Sequence, residues 1–339
     1  MPLPEAILII TIDVEEDNWG IHRSGLTVEN VKEINRLQVL FDRYGIKPTY
    51  LLSYQVASCD WAVNILAKIL AEGKCEIGAH LHPWNTPPLK ETLSERNSML
   101  LNLPYELQKE KLLTLTDQIE KAFGTKPQSF RAGRWGLGKE TIDAIIACDY
   151  QVDSSVTPMM SWTSYGDGPE YREARTEPYW LSIENNQRNE YGPHSILEVP
   201  VSIGFNRWPF ELCQKSFHWL ENKWLRFLHP IGILYHTNLL RKIWLSPEAS
   251  SADKMIDLSK LMIRHGKWIL NLTFHSNALL PGKGPFIKNE KELKEFYLKL
   301  EKYFDYLTSN TNLVPLTLSE VHQLLESKKY RNNYIKRIN

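Results

Sequence analysis

Short apolar runs alternate with amphipathic helical stretches along the first half of this 339-residue chain. The runs that predict strands buried on both faces lie at residues 6–12, 49–53, 75–79, 129–131 and 151–154. Apolar residues recur at helical spacing in the intervening residues 28–44, 61–71, 103–123 and 140–148. Because such alternation is typical of a parallel sheet with crossover helices, the sequence predicts an α/β fold.

The second half of the chain is less regular. Residues 159–191 are rich in Trp, Tyr, Gly and Pro, and we expect them to form an insertion beside the site. A mostly helical stretch is predicted at residues 217–245, within a helical region of about 210–250. Further strands are predicted at residues 197–201, 268–274 and 313–315, and further helices at residues 254–265 and 289–308. The absence of a linker predicts one domain over residues 1–327, followed by a basic tail at 328–339.

Bulk composition excludes some classes of partner. Lys plus Arg and Asp plus Glu both number 40, so the formal charge is zero, whereas a nucleic-acid binder usually has a basic excess. No apolar run approaches the roughly 18 residues that a transmembrane helix needs, and the N-terminus lacks a signal-peptide pattern. The four cysteines form no CxxC pair, which indicates free thiols in a reducing compartment. We therefore expect a cytoplasmic protein with no nucleic-acid partner, and the oligomeric state stays open.

Two pairs of polar residues follow predicted strands. Asp13 and Glu15 lie in ITIDVEED, and His80 and His82 lie in EIGAHLHPW. In an extended chain, residues two apart point to the same side, so the members of each pair can converge. A carboxylate and two imidazoles are a ligand set for a divalent metal such as zinc, and a second carboxylate could act as a general base. Solvated strand ends are the simpler alternative for both pairs.

Three further strand ends carry candidate functional groups. Arg131 and Arg134 lie in SFRAGRWG, where a guanidinium could orient a catalytic carboxylate and keep it ionised, or form a surface ion pair. Asp153 ends the next strand and could support the site or cap a turn. His275 in LTFHSN could serve as a general acid, or be a satisfied core histidine. The chain lacks GxSxG and Gly-rich phosphate-loop motifs, which disfavours those nucleophilic and nucleotide-binding classes.

Taken in order, five motifs resemble those of the polysaccharide deacetylase family, the NodB homology fold. They are TIDVEED, AHLHPW, FRAGRWG, VDSS and LTFHS, and they span residues 11–276. The resemblance implies a distorted (β/α)7-type barrel with an aromatic-rich insertion and one divalent metal, zinc in the first place, or nickel or cobalt. It also implies removal of acetyl groups from an N- or O-acetylated carbohydrate. The motif AHLHPW is similar to that of a family branch associated with lipopolysaccharide or exopolysaccharide biosynthesis.

The resemblance also implies roles for individual residues. Asp13 is similar to the general base, His80 to a metal ligand, and Arg131 to the arginine that holds the base. Asp153 resembles the carboxylate that orients the catalytic acid, and His275 resembles that acid.

The chain departs from the family pattern at two positions. The family has a second aspartate next to the base, where this chain has Val14, so Glu15 is the expected metal ligand. The second family histidine lies four residues after the first, where this chain has Trp84, so His82 must take that role. We expect Trp84, together with Arg134 and Trp135, to contact the substrate.

Two other functions stay open at the level of sequence. The same motifs occur in relatives that open cyclic amides such as allantoin or imides. The altered first and second motifs would also suit a sugar-binding protein on a catalytically decayed scaffold.

Overall fold

The fold was determined as a computed structural model, which describes residues 5–17, 20–182, 194–220 and 239–327. The strands are β1 (Glu5–Val14), β2 (Thr49–Leu52), β3 (Glu76–Leu81), β4 (Ser129–Ala132), β5 (Val152–Asp153), β6 (Tyr179–Ser182), β7 (Ser195–Glu198), β8 (Ile203–Phe205), β9 (Lys242–Trp244), β10 (Ile269–His275) and β11 (Asn312–Pro315). The α-helices are α1 (Ile34–Arg43), α2 (Tyr54–Ala57), α3 (Asp60–Ala71), α4 (Tyr105–Phe123), α5 (Lys139–Ala147), α6 (Phe210–Leu220), α7 (Ala252–Arg264), α8 (Glu290–Asn310) and α9 (Leu318–Glu326).

The main sheet curls into a distorted (β/α) barrel. Its strands follow the order β10-β1-β2-β3-β4-β5-β7-β6, and β11 adds to β1 beside β2. All of its pairs are parallel except β6 with β7. The segment that follows β7 lies beside β10, the strand at the other end of this order. The backbone N–H of Ser202 donates to the carbonyl of Asn271 in β10 at 3.1 Å. The predicted parallel α/β architecture is therefore confirmed.

The alternation of side chains along β1 decides which residues face the barrel interior. Ile7 and Ile9 belong to one core cluster, whereas Ile10 and Ile12 belong to the larger cluster formed with the surrounding helices. Asp13 has the same parity as Ile7 and Ile9, so the pleat of the strand directs its carboxylate to the interior at the carboxyl end. The first functional side chain is thus positioned by hydrophobic patterning alone.

Helix α9 covers the opposite end of the barrel. Leu318, Val321 and Leu325 join the core cluster of Ile7 and Ile9, near the amino end of β1. This helix begins with a capping box at Thr317. The side chain of Thr317 accepts a hydrogen bond from the backbone N–H of Glu320, and the side chain of Glu320 accepts one from the backbone N–H of Thr317. The sequence interpretation missed α9.

The second half of the chain shows where the sequence interpretation failed. Mostly helical structure was expected at residues 217–245, but Lys242–Trp244 is strand β9, paired antiparallel with β8. A three-residue strand is too short to display an alternating pattern, and its partner precedes it by some 40 residues, so only the fold reveals the pairing. Strands β6 and β8 were also missed. Residues 183–191 of the insertion, residues 221–238 and the tail lie outside the described residues.

Candidate metal centre and active site

Strand register gathers the predicted site residues at one edge of the barrel. Asp13 pairs with His275 between β1 and β10, and His80 pairs with Arg131 between β3 and β4. All four residues lie at or beside the carboxyl ends of their strands, where they meet a pocket of about 400 Å³. Asp13, His80 and His275 line this pocket, whereas Arg131 is fully buried behind it.

The expected metal ligands converge in this pocket. Glu15 Oε2 lies 3.6 Å from His80 Nε2 and 3.3 Å from His82 Nε2. The three ligand atoms all lie within 4.8 Å of one another, and all three residues are buried. A carboxylate oxygen and two imidazole nitrogens at this spacing are a donor set that suits a divalent metal.

Neighbouring groups orient two of these ligands. The backbone carbonyl of Arg131 lies 3.2 Å from His80 Nδ1, and a carbonyl can only accept a hydrogen bond. The proton is therefore on Nδ1, which leaves the lone pair of His80 Nε2 free for a metal. The other oxygen of the carboxylate, Glu15 Oε1, accepts a hydrogen bond from Asn277 Nδ2 at 3.1 Å, which turns Oε2 toward the histidines.

The third ligand, His82, is held by packing. The imidazole of His82 stacks on the indole of Trp84 with ring centroids 4.2 Å apart, and Gly133 lies against the edge of the imidazole that carries Cδ2 and Nε2. Burial lowers the pKa of His82 well below its ordinary value of 6.5, so the imidazole is neutral and can act as a ligand. His82 Nδ1 has no hydrogen-bond partner among the described residues, and Glu16 Oε2 lies 4.0 Å from it. The residues present therefore fit a divalent metal.

Asp13 is held by a fully buried arginine. Arg131 Nη1 donates to Asp13 Oδ1 at 2.6 Å and to Thr273 Oγ1 at 2.9 Å, while Nη2 donates to Thr11 Oγ1 at 2.7 Å. Its Nε donates to the carbonyl of Ser154 at 2.7 Å, so every nitrogen of the guanidinium is bonded. Burial alone would raise the pKa of Asp13, but the charges of Arg131, His80 and His275, together with the hydrogen bond from Arg131, outweigh burial and lower the pKa. Asp13 is therefore ionised.

His275 faces Asp13 across the pocket. Its Nε2 lies 3.8 Å from Asp13 Oδ2, and its Nδ1 lies 3.0 Å from Glu248 Oε2. Glu248 Oε1 also accepts from the backbone N–H of His275 at 2.9 Å, so the two residues are joined twice. Burial alone would lower the pKa of His275, but the charge and hydrogen bond of Glu248 raise it to about 10. The imidazole is thus a positioned proton donor.

Glu248, rather than Asp153, is the carboxylate that contacts His275. The carboxylate of Asp153 accepts from the hydroxyl of Ser155 at 2.6 Å and shares a hydrogen bond with Glu198, both carboxyl groups being fully buried. Burial, and then the charge of Asp153, raise the pKa of Glu198 well above its ordinary value. Asp153 therefore lies with Ser155 and Glu198, whereas Glu248 contacts His275. No sequence signal identified Glu248, because it follows the unrecognised strand β9.

The pocket wall is aromatic. Trp84, Arg134 and Trp135, the expected substrate contacts, all line the pocket. Arg134 and Trp135 adopt left-handed backbone with φ of 55° and 61°, a conformation that costs energy for a residue with a side chain. The wall also contains aromatic residues that the sequence interpretation did not single out, namely Trp162, Tyr165, Trp244 and Phe286. Two of these, Trp162 and Tyr165, come from the predicted insertion.

The cysteines and helices fit the sequence expectations in part. All four cysteines are free. Among the helices within the described ranges, none is both long and apolar enough to span a bilayer.

Comparisons with solved structures give the fold. A protein from Mycobacterium smegmatis described as a polysaccharide deacetylase superposes with a TM-score of 0.56 at 14% identity, covering 96% of this chain and 92% of that chain. A probable polysaccharide deacetylase from Pseudomonas aeruginosa gives 0.53 at 12% identity, with 96% and 92% covered. PuuE allantoinase gives 0.56 at 11% identity, with 96% and 91% covered. No protein-family model matches the sequence, and no curated protein matches it significantly. The chain therefore has the NodB-type fold of the polysaccharide deacetylases, a distorted (β/α) barrel.

Proposed function

We propose that the protein is a metal-dependent hydrolase that removes acetyl groups from an N- or O-acetylated sugar or polysaccharide precursor. The observation that carries the proposal is the convergence of Glu15, His80 and His82 beside the pair Asp13 and His275 in one pocket. This arrangement combines a metal ligand set with an ionised carboxylate and a protonated imidazole. Metal-assisted hydrolysis of an amide or ester bond can use these as the Lewis acid site, the general base and the general acid.

Glu15, His80 and His82 would hold the metal. When bound, a divalent metal supplies Lewis acidity, which polarises an acyl carbonyl and acidifies a water molecule. Asp13 is the proposed general base, because Arg131 keeps its carboxylate ionised and fixes one of its oxygens. The other oxygen, Asp13 Oδ2, faces the pocket, where it can accept the proton of an attacking water.

His275 is the proposed general acid. An amide nitrogen is a poor leaving group until it is protonated, so hydrolysis needs a donor on the leaving side. Glu248 bonds Nδ1 of His275 and thereby directs its Nε2 toward Asp13 and the pocket. The raised pKa keeps the imidazole protonated at neutral pH, which suits proton delivery to the leaving sugar nitrogen or oxygen.

Two variants separate metal binding from proton transfer. We expect His80→Ala to lose both bound metal and deacetylation of acetylated sugars, whereas His275→Ala should keep the metal and lose at least about 100-fold in kcat. Elemental analysis and an acetate-release assay measure these quantities. His265→Ala is the matched control, because that exposed histidine does not line the pocket. Full turnover by His275→Ala would overturn the acid assignment.

The similarity to an allantoinase supports a second candidate, hydrolysis of a cyclic amide or imide. Its TM-score equals that of the M. smegmatis structure, so the fold does not separate the two bonds. The same purified, metal-loaded protein should be tested on allantoin, on cyclic imides and on acetylated sugars. Turnover of only the cyclic substrates would favour the second candidate. Absence of stoichiometric metal would instead favour the third one, a sugar-binding protein without catalysis.

The identity of the metal, the biosynthetic role and the cellular location are parts of the same proposal. Zinc is the proposed metal, because one carboxylate and two histidines with room for a water are typical of catalytic zinc sites. Nickel and cobalt accept the same donors. A role in polysaccharide biosynthesis and a cytoplasmic location stay predictions.

A further inference from the structure

The pocket contains a cationic side chain that the proposed hydrolysis does not use. Arg134 is the only Arg or Lys among the described residues that line the pocket. The floor carries four carboxylates, those of Asp13, Glu15, Glu16 and Glu248. Each of these carboxylates has its own partner. Asp13 is bonded by Arg131, Glu15 lies beside the metal-ligand histidines, Glu16 is bonded by Ser53, and Glu248 is bonded to His275. Arg134 stands apart from this network.

The guanidinium of Arg134 has unused hydrogen-bonding capacity. Arg131, three residues earlier, uses every nitrogen of its guanidinium. Arg134, by contrast, makes no hydrogen bond or ion pair with any residue in the described part of the chain, and its guanidinium lies over the ring of Trp84. An arginine presents five N–H donors in a planar fork and stays charged in proteins. Glu95 acts on this guanidinium through its charge without forming an ion pair, so the N–H donors of the half-buried fork are available to a ligand.

The surrounding structure fixes the position of this group. The guanidinium carbon of Arg134 lies 5.5 Å from the centroid of Trp84, and Trp84 stacks at 4.2 Å on the imidazole of His82. Arg134 therefore lies no farther from the His82 ring than the sum of those two distances. A single acetylated sugar with one charged substituent can bridge that span. The left-handed backbone at Arg134 and Trp135 further restricts where the side chain can reach.

We propose that Arg134 binds an anionic group on the substrate, a carboxylate or a phosphate, so that the substrate class is an acidic acetylated sugar. This inference rests on the proposed deacetylase function and narrows it. The planar fork of arginine matches both anions in bidentate geometry, and a charge-assisted bond is stronger than a neutral one. The half-buried indoles of Trp135, Trp162 and Trp244 in the same pocket offer faces on which a sugar ring can stack, while the anion lies against the guanidinium. A uronic acid and a sugar phosphate are the two sources of this chemistry.

The kinetic test compares matched neutral and anionic substrates on the metal-loaded enzyme. The substrates are N-acetylglucosamine, its 1-phosphate and the corresponding uronic acid. We expect the wild type to prefer one of the two anions by about 10- to 100-fold in kcat/KM, and Arg134→Gln to abolish this preference through KM. Arg134→Lys should keep part of it, since the charge remains but the fork is lost. Arg96→Gln, which removes an exposed arginine paired with Asp167, should keep the full preference.

A binding measurement separates this proposal from the proposed function. Tryptophan fluorescence reports binding of the same three compounds without turnover, because Trp84, Trp135, Trp162 and Trp244 line the pocket. Tighter binding of an anion by the wild type than by Arg134→Gln, with no acetate released, would support the anion site and refute deacetylation. The anion that binds more tightly identifies the source. Equal affinity for the neutral sugar and both anions, or a preference that survives in Arg134→Gln, would overturn the proposal even if deacetylation is observed.

Discussion

Gly133 provides a sharp test of the metal centre, because a single added methyl group would collide with a ligand. A Cβ at this position would lie 2.0 Å from His82 Cδ2, 2.8 Å from His82 Nε2 and 2.7 Å from the carbonyl oxygen of Leu81. Ordinary carbon contacts are about 3.5–4.0 Å, so the ring would have to retreat by roughly 1.5 Å. Trp84 is stacked on this ring, so the way out is obstructed.

The displacement should reach the metal through His82 Nε2. Metal–ligand distances tolerate about 0.2 Å, which is far less than the required shift. We therefore expect Gly133→Ala to weaken zinc binding by about 10- to 100-fold, as positioning defects around metal sites often do. Overpacking should also lower the free energy of unfolding of the apoprotein by about 1–3 kcal/mol. Competition with a chromophoric chelator measures the first effect, and urea denaturation measures the second.

A second glycine variant serves as the control. Gly45 has a φ of 62° and no atom within 4 Å of the position that a Cβ would take. Gly45→Ala should therefore cost roughly 1 kcal/mol in the free energy of unfolding and leave the affinity for zinc unchanged. If Gly133→Ala binds zinc as tightly as Gly45→Ala does, then the argument that His82 is a packed metal ligand is refuted.

Three further predictions concern Glu248, Lys111 and the metal ligand His80. Because Glu248 raises the pKa of His275 from 6.5 to about 10, its stabilising effect is complete below pH 6.5 and is lost as the pH rises through 10. Glu248→Gln should therefore have a lower free energy of unfolding than the wild type, and the difference should be largest at pH 6 and shrink as the pH rises. A difference that stays constant up to pH 10 would contradict this prediction. Lys111→Met should lower the free energy of unfolding by about 3–5 kcal/mol in urea titrations, because the buried Lys111 Nζ bonds three backbone carbonyls and Glu91. Saturating zinc should raise the melting temperature of the wild type but not that of His80→Ala, and equal shifts would argue for metal binding elsewhere.

The order of elements in the first half of the chain was predictable because it rests on local patterning. Continuous apolar runs and helical periodicity respond to burial over a few residues, and the parallel barrel follows from their alternation. The same reasoning located Asp13, His80 and His275 at strand ends, where the fold brings them together. Short or late elements such as β9 and α9 were missed, because their pairing and packing partners are distant in sequence.

By itself, the sequence determined the α/β barrel, the edge at which the site lies and the residue types that meet there. Only the tertiary structure decided which partner each group has. It placed Glu248 rather than Asp153 beside His275, placed Gly133 against His82, and left the guanidinium of Arg134 without a hydrogen bond or ion pair in the described part of the chain. The physical reason is range: burial patterns are set by neighbouring residues, whereas hydrogen bonds and ion pairs depend on distances of a few ångström between residues far apart in the chain.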